Sequence, residues 1–310
     1  MSTSVNIVAL SNQNYTADFD EAALAEALES VENLTVDSAL ALNVPESHQE
    51  YEGQGPAYTA YLASGNYRGS IEDLRTELFN LPAEQTSGLT VNAVPSELAN
   101  DEKKLVIMDV DSTLIQQEVI DELAAHAGKR EEISLITERA MAGELDFESS
   151  LRERVKQLAG VPETVLTEVY ERISLTPGAS ELVRLLHEAG HTVAVVSGGF
   201  VQVLRPLAQR TGLDYARANL LDIKDGALTG EVSGQVITPQ VKRDSLKEWM
   251  KAEGISPKQV LAVGDGANDI LMVKEAALGV AFNAKAALKV EADVQINTPR
   301  LDAVRHFIGL

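Results

Sequence analysis

A buried strand that ends in two carboxylates is the feature that most restricts how this chain can fold. Residues 106–114 read VIMDVDSTL, in which an apolar run stops at Asp109 and Asp111. Two like charges at the end of a buried strand are costly unless a cation or a proton compensates them. The chain has no cysteine and none of its five histidines has ligand spacing. Any metal that compensates this charge must therefore be bound by oxygen or histidine ligands.

Five apolar runs beyond residue 104 alternate with stretches of helical pattern. The runs cover residues 105–110, 192–197, 260–265, 278–282 and 294–296. Segments that are rich in Val, Ile and Leu, apolar on both faces and separated by helices are typical of a parallel sheet covered on both sides. The sequence therefore predicts a doubly wound, Rossmann-like α/β core over residues 104–310.

Two insertions interrupt this alternation. About 80 residues separate the first two apolar runs, far more than one crossover helix requires. Their periodicity, broken at Gly128, Gly143 and Gly160, predicts a helical cap over residues 116–176. A later segment with glycine-containing turns predicts a β-hairpin flap over residues 224–238.

The first hundred residues differ from the rest in charge and pattern. They hold 15 acidic against 2 basic residues, or −13 of the net charge of −21. Their strand and helix signals follow the order β-α-β-β-α-β, the split βαβ pattern of ferredoxin-like domains. The polar stretch from Pro95 to Glu102 reads as a linker. We therefore expect a smaller α+β domain over residues 1–97.

Composition also restricts the partners. A net charge of −21 opposes nonspecific binding to nucleic acid and to anionic lipid. No apolar stretch approaches the ~18 residues of a membrane span, and the polar start lacks the pattern of a signal peptide. These features favour a cytoplasmic protein that binds neither nucleic acid nor membrane.

Polar residues cluster where the apolar runs end, and ligands of open parallel sheets bind beyond the carboxyl ends of the strands. Besides the first aspartate pair, these residues are Ser197 and Gly198 after the second run, Asp265, Asn268 and Asp269 after the third, and Lys242 between them. Carboxylate oxygens suit Mg²⁺, which usually takes one or two protein carboxylates and substrate phosphate oxygens. Asp109 and Asp265 are the expected metal ligands.

This set of residues suits phosphoryl transfer. Asp109 can attack phosphorus as a nucleophile, while Asp111 protonates the leaving oxygen and later deprotonates water. Ser197 and Gly198 would hold the phosphoryl oxygens, Lys242 would stabilise their charge, and Asp269 would anchor either Lys242 or a metal-bound water. Each residue alone also fits an ordinary turn, helix cap or solvated surface position, but their joint order along the chain favours the catalytic interpretation.

Four segments resemble the motifs of the haloacid dehalogenase superfamily of aspartate-nucleophile phosphatases. They are DVDST (109–113), VVSGG (195–199), Lys242 and GDGAND (264–269). The resemblance implies a phosphoric monoester hydrolase that depends on Mg²⁺ and forms an aspartyl-phosphate. It also implies that the backbone carbonyl of Asp111 binds the metal and that Asn268 contacts the substrate.

The resemblance extends through the cap and covers residues 104–310. QQEVIDELA (116–124), ITERAMAGELDFESSLRERV (136–155) and LTPGA (175–179) are similar to segments of the family members that hydrolyse O-phospho-L-serine, the last step of serine biosynthesis. This similarity implies that Glu118 binds the substrate ammonium and Arg154 its carboxylate, and that Met141 and Phe147 line the closed site.

Other interpretations remain open at this point. The catalytic scaffold also suits a phosphatase or phosphotransferase for another small phosphomonoester, or a non-catalytic amino-acid-sensing module. The order of elements in residues 1–97 resembles the ACT regulatory domains, which implies homodimerisation or amino-acid sensing, although a domain that only aids assembly fits equally well.

Overall fold

The computed structural model describes residues 2–11, 20–45, 57–141 and 144–310. The first sheet is antiparallel, with strand order β2-β3-β1-β4. Its elements are β1 (Thr3–Ser11), α1 (Glu21–Ser30), β2 (Leu34–Val44), β3 (Tyr58–Tyr67), α2 (Ile71–Phe79) and β4 (Leu89–Pro95). The predicted β-α-β-β-α-β order and the smaller α+β unit are confirmed.

Local sequence explains the two helices of this region. Asp20 and Ser70 cap them, since their side chains accept hydrogen bonds from the backbone N–H groups of Ala23 and Asp73. Each helix buries leucines four residues apart, on the face that meets the sheet. These leucines are Leu24 and Leu28 of α1, and Leu74 and Leu78 of α2.

The second sheet has seven strands in the order β11-β10-β9-β5-β6-β7-β8. All neighbours are parallel except β7 and β8. Its strands are β5 (Leu105–Met108), β6 (Thr192–Phe200), β7 (Tyr215–Lys224), β8 (Ala227–Ser233), β9 (Val260–Gly264), β10 (Leu278–Phe282) and β11 (Val294–Ile296). The predicted doubly wound α/β core is confirmed, with β5 at its centre.

Helices cover this sheet and form the cap. The cap contains α3 (Val119–Ala127), α4 (Arg130–Met141), α5 (Phe147–Lys156) and α6 (Thr164–Arg172). The remaining helices are α7 (Ala179–Glu188), α8 (Val201–Thr211), α9 (Pro239–Ala252), α10 (Ile270–Glu275) and α11 (Ala286–Lys289). Among the described helices, none combines the length and the apolar character that crossing a membrane requires.

The cap is joined to the core by two adjacent segments. Ile115 and Leu175 form an antiparallel bridge, flanked by hydrogen bonds from Gln116 N to Ser174 O at 3.0 Å and from Thr176 N to Leu114 O at 2.9 Å. We call residues 114–116 and 174–178 the cap hinge. Every movement of the cap relative to the core must pass through this pair of segments.

The β-hairpin lies earlier in the chain than the predicted flap over residues 224–238. Strands β7 and β8 pair from Leu220–Ser233 to Lys224–Ala227, so residue 224 ends the first strand. Asp225 and Gly226 form the turn with positive φ. The predicted bounds were wrong because β7 reads YARANLLDIK, in which mixed polar residues hide the alternation of a strand.

The first sheet packs directly against the core. The side chains of Val8, Leu10 and Tyr58 point away from α1 and α2, and they share one hydrophobic cluster with Leu301 and Phe307 of the C-terminal segment. Alternation along each strand thus buries both faces of the first sheet, one under its own helices and one on the core.

Edge strands of the two sheets also meet. The Asn92 side chain on β4 donates to the Gln295 carbonyl at 3.0 Å and accepts from the Gln295 N–H at 2.8 Å. The same amide nitrogen lies 3.2 Å from the Val8 carbonyl. Asn92 is 5% exposed and occupies the backbone hydrogen-bonding groups of β11 as a neighbouring strand would.

Candidate active site

The loop that follows β5 places Asp109 and Asp111 in one cavity of about 140 Å³. The Asp109 N–H continues the sheet by donating to Val263 O at 2.9 Å, and its side-chain Oδ1 accepts from the Val110 N–H at 2.7 Å. Ser112 has a left-handed backbone with φ +56°, which turns the chain sharply after Asp111. Asp109 is only 3% exposed and Asp111 9%.

Lys242 supplies a cation to Asp109 and to Asp269. It lies in the first turn of α9, which Thr238 caps through the Val241 N–H. Its Nζ is 2.8 Å from Asp109 Oδ1 and 2.8 Å from Asp269 Oδ1, and its side chain is fully buried. Burial alone would lower the pKa of Lys242, but Asp109 and Asp269 raise it above its usual value. The lysine is therefore held as an ammonium ion.

The segment after β9 folds back tightly on itself. Asp269 Oδ2 accepts hydrogen bonds from the N–H groups of Asp265 and Gly266, each at 3.2 Å. A Cβ on Gly264 would lie 2.5 Å from Asp269 Cγ, so only glycine fits at that position. Asn268 Nδ2 lies 3.3 Å from Asp109 Oδ2. The GDGAND motif thus brings two carboxylates and an amide close to the Asp109 carboxylate.

Asp109, Lys242, Asp265 and Asp269 form what we call the Asp109 cluster. Oxygens of its three carboxylates lie within 4.8 Å of one another. Burial raises the pKa of Asp265 to about 7, with a further contribution from Asp109 and Asp269. Burial likewise raises the pKa of Asp269 to about 6. Three buried carboxylates against one ammonium leave negative charge uncompensated, and this oxygen donor set fits a divalent metal ion.

Asp111 is bound by two donors. Its Oδ1 accepts from the Val119 N–H at 2.8 Å, and its Oδ2 accepts from Ser197 Oγ at 2.9 Å. Burial, followed by repulsion from Glu118 and Asp109, raises the pKa of Asp111 to about 7. Near neutral pH this carboxyl group can therefore both release and accept a proton.

Ser197 and Gly198 lie where β6 ends, but their positions differ. The Ser197 hydroxyl donates to Asp111 and accepts from the Gly199 N–H at 2.7 Å. Ser197 therefore orients Asp111 without lining the cavity itself. Gly198 and Gly199 line the cavity itself. A Cβ on Gly199 would lie 3.0 Å from Asp111 Oδ2, which explains a glycine there.

The cap contributes one carboxylate and one guanidinium group to the opposite wall of the cavity. Glu118 precedes α3, and its Oε1 accepts from Ser112 Oγ at 2.9 Å. Arg154 of α5 lines the cavity, and its Nε donates to the Ser150 carbonyl at 3.3 Å. Burial lowers the pKa of Arg154, while the surrounding carboxylates oppose this shift. Within the described part of the chain Arg154 forms no ion pair, so its guanidinium is available to an anion.

Phe147 begins α5 and reaches across to the core. Its Cζ lies 3.3 Å from the point that a Cβ on Gly198 would occupy, so cap and core are in close contact at this wall. Met141 ends α4, and its side chain lies outside the described residues.

Several lining residues were not predicted from the sequence. They are Ile120, Leu151, Gly199 and Lys285. Lys285 Nζ lies 3.6 Å from Asp265 Oδ2, and the Lys285 N–H donates to the Asp265 carbonyl at 2.8 Å. Lys285 follows the end of β10 by three residues, so applying the strand-end rule to this fourth run would have found it.

Comparison with known proteins agrees with this geometry. Residues 103–277 match the family model of haloacid dehalogenase-like hydrolases. A phosphoserine phosphatase of Archaeoglobus fulgidus is 51% identical over 214 residues, which are 69% of this chain and 62% of that relative. The chain thus spans about three fifths of the length of this relative.

Two solved structures are similar as well. A structure described as a phospho-aspartyl intermediate analogue of phosphoserine phosphatase has a TM-score of 0.64 at 46% identity, covering 67% of this chain and 99% of its own. An unliganded probable phosphoserine phosphatase from Vibrio cholerae has a TM-score of 0.73 at 32% identity, covering 99% of this chain and 86% of its own. The chain belongs to the haloacid dehalogenase-like hydrolase family.

Proposed function

We propose that this protein is a phosphoserine phosphatase, which hydrolyses O-phospho-L-serine to serine and phosphate as the last step of serine biosynthesis. The observation that carries the proposal is one small cavity in which Asp109 and Asp111 face Glu118 and Arg154 of the cap. A phosphorylated amino acid has a phosphate, an ammonium and a carboxylate. The cavity offers a separate partner for each of them.

The substrate groups are assigned by charge. Asp109 faces the phosphoryl group, whose oxygens are bound by the Gly198 loop and Asn268. Glu118 binds the ammonium group, and Arg154 binds the carboxylate through paired N–H donors. Phe147 restricts the length of the substrate, and Met141 is proposed as a further lining residue of the closed site from the family resemblance alone. A cavity of about 140 Å³ suits a substrate this small.

Asp109 performs the first displacement. Its Oδ1 is held by Lys242 and the Val110 N–H, whereas Oδ2 has one contact among the described residues, at 3.3 Å with Asn268. Oδ2 attacks phosphorus, an O–P bond to Asp109 forms, and the P–O bond to serine breaks. Asp111 gives its proton to the departing serine oxygen, while Lys242 stabilises the charge at the phosphoryl group.

Hydrolysis restores the enzyme. Water attacks the aspartyl-phosphate, and Asp111, now a carboxylate, takes a proton from that water. The O–P bond to Asp109 breaks, and phosphate leaves. The bonds from the Val119 N–H and Ser197 hold Asp111 in place in both steps. The cap opens to admit substrate and closes to exclude bulk water.

We propose Mg²⁺ as the metal, held by Asp109, Asp265 and the backbone carbonyl of Asp111. Asp269 is the less suitable ligand because it is fully buried and does not line the cavity, whereas Asp109 and Asp265 do. When bound, Mg²⁺ supplies positive charge that lets an anionic phosphoryl group approach a carboxylate. Asp269 instead positions Lys242.

We further propose that residues 1–97 form a regulatory or assembly domain and that residues 104–310, with the cap over 116–176, form the catalytic domain. The ACT-like order of elements supports this division. One edge of the first sheet, β4, is engaged by β11 through Asn92, so β2 is the edge that a homodimer would use. Light scattering of the full chain and of a variant with a proline in β2 tests this.

Phosphate release from O-phospho-L-serine and from p-nitrophenyl phosphate tests the proposed function. We expect metal-dependent turnover that favours phosphoserine. Arg154→Ala should reduce kcat/KM for phosphoserine by about 100-fold or more, the loss of a charged hydrogen-bonded pair, and affect the aryl phosphate much less. Arg152→Ala is the matched control, because Arg152 lies two residues away on α5 and pairs with Glu148 at the surface.

Other outcomes would select the alternatives. Turnover of other phosphate esters without phosphoserine would keep the aspartate mechanism and reject the roles of Glu118 and Arg154. Binding of an amino acid without any turnover would favour a sensor.

A further inference from the structure

Tyr58 connects the first sheet to the C-terminal segment. Its hydroxyl lies 3.0 Å from His306 Nε2 and 3.4 Å from Asp302 Oδ2. Arg300 binds Asp302 through two bonds of 2.7 and 2.8 Å and donates to the Pro45 carbonyl at 3.1 Å. We call Tyr58, Arg300, Asp302 and His306 the Tyr58 cluster. It is buried and lies outside the catalytic cavity.

The hydrogen bonds between His306, Tyr58 and Asp302 have a definite direction, which follows from the protonation of the His306 ring. Burial and the nearby Arg305 lower the pKa of His306 to about 3, so its ring is neutral. His306 Nδ1 has no partner among the described residues, which places the ring proton on Nε2. Nε2–H then donates to Tyr58, and the Tyr58 hydroxyl donates to Asp302. The contact between the first sheet and the C-terminal segment therefore depends on the direction of these hydrogen bonds as well as on packing.

Asp302 lies directly against the cap hinge. Gly178 has φ +79°, and a Cβ there would fall 1.9 Å from Asp302 Oδ1. The neighbouring Leu301 N–H donates to the Pro177 carbonyl at 2.8 Å. The 177–178 turn thus rests on the Asp302 carboxylate with no free space between them. A shift of Asp302 must move this turn.

The hinge in turn is tied to the catalytic loop. Thr176 N donates to Leu114 O, and Leu114 ends the same loop that carries Asp111. A continuous set of contacts therefore runs from Tyr58 through Asp302 and Gly178 to the loop of the proton donor. None of the three touches the cavity that the substrate would occupy.

We propose that Tyr58 and Asp302 are positioning residues for the reaction: they hold the cap hinge in the geometry from which the cap closes on its substrate. The first domain then influences catalysis without contacting the substrate, by bracing the hinge. This inference rests on the proposed function for its probe substrate, since closure matters most to a substrate that needs Glu118 and Arg154.

Tyr58→Phe tests the proposal, because it removes the hydroxyl and keeps the ring. We expect KM for O-phospho-L-serine to rise about five-fold, within the range by which residues away from a ligand alter coupling. We expect kcat/KM for p-nitrophenyl phosphate to change by less than about two-fold. Hydrogen exchange at the Gln116 and Thr176 amides, measured by NMR, should accelerate, because these bonds close the hinge.

Tyr67→Phe is the matched control. Tyr67 lies on the same strand, is 3% exposed, and donates from its hydroxyl to Glu77 at 2.9 Å within the first domain. It should leave both KM and the hinge amides unchanged.

Equal effects of the two substitutions would overturn the proposal in favour of general destabilisation. If Tyr58→Phe changes neither the KM nor the hydrogen exchange of the Gln116 and Thr176 amides, the proposal is also overturned. The Tyr58 cluster would then only hold the two regions together. If the wild-type protein does not hydrolyse phosphoserine, the proposed function fails, while exchange at Gln116 and Thr176 still tests the hinge.

Discussion

The Asp109 cluster and the Tyr58 cluster are both buried and charged, but they differ in balance. The first has three carboxylates around one ammonium and opens on a cavity. In the second, the buried guanidinium of Arg300 is paired with the carboxylate of Asp302, and a neutral tyrosine and histidine complete the contact beside the guanidinium of Arg305. An uncompensated buried charge is costly unless a cation, a proton or a ligand compensates it. The excess of carboxylates in the Asp109 cluster therefore indicates a binding site, whereas the paired charges of the Tyr58 cluster indicate a structural contact.

Removing a carboxylate from the unbalanced cluster should abolish activity without unfolding the protein. Asp109→Asn should lower kcat for O-phospho-L-serine by at least about 10⁴-fold, because the nucleophile is lost. The free energy of unfolding should stay the same or rise, since Lys242 keeps Asp269 as a partner. Phosphate release and urea denaturation measure the two effects. A strongly destabilised Asn variant would break the comparison.

Removing the carboxylate of the balanced cluster should have the opposite result. Asp302→Asn breaks the buried ion pair between Asp302 and Arg300, so the free energy of unfolding should fall by about 3–5 kcal/mol. Asp244→Asn is the control, because Asp244 pairs with Arg243 at the surface and should change stability by less than about 0.5 kcal/mol. If both variants cost the same in urea denaturation, burial of the pair is not what matters.

A divalent metal should distinguish the clusters further. Mg²⁺ at 100 times its dissociation constant should stabilise the wild-type protein by about 2.7 kcal/mol, because it binds the folded state. Asp265→Asn should lose this gain, whereas Asp302→Asn should keep it in full. Urea denaturation with MgCl₂, against NaCl at equal ionic strength, gives the values. An equal gain in Asp265→Asn would move the metal away from the Asp109 cluster.

The smallest expected effect concerns pH. The pKa of His306 is about 3 in the folded protein, against about 6.5 for an unfolded chain. The unfolded state therefore binds the extra proton first, and stability falls as the pH drops below about 6.5. Between pH 7.5 and 5 this group should cost about 2 kcal/mol. His306→Gln should lose stability less steeply over the same range in denaturation curves, and identical slopes would contradict the assignment.

Much of the fold and most of the cavity could be predicted from sequence, for a physical reason. Buried parallel strands are apolar on both faces, so Asp109, Ser197 and Asp265 stand out where those runs stop. Because the strands are parallel, their carboxyl ends lie at the same edge of the sheet, and these three residues come together there. The cap helices could be predicted because Gly128, Gly143 and Gly160 interrupt a helical pattern of apolar residues.

Other features have no local signal. The direction of the Ser197 hydroxyl depends on where Asp111 lies, and that position is set by the Val119 N–H rather than by either motif. Tyr58 and His306 are 248 residues apart, and neither belongs to a periodic pattern that marks their contact. Strand β7 was not predicted, because its partial exposure removes the apolar alternation on which the prediction of a strand depends.

The Asn92 contact has a consequence for protein engineering. A chain shortened to residues 104–310 would leave the backbone groups of Gln295 and the apolar surface around Leu301 open to water. An uncovered edge strand beside an apolar face is a template for aggregation. Removing residues 1–103 therefore calls for redesign of that boundary, with charged residues at the edge of β11, rather than for a simple cut in the linker.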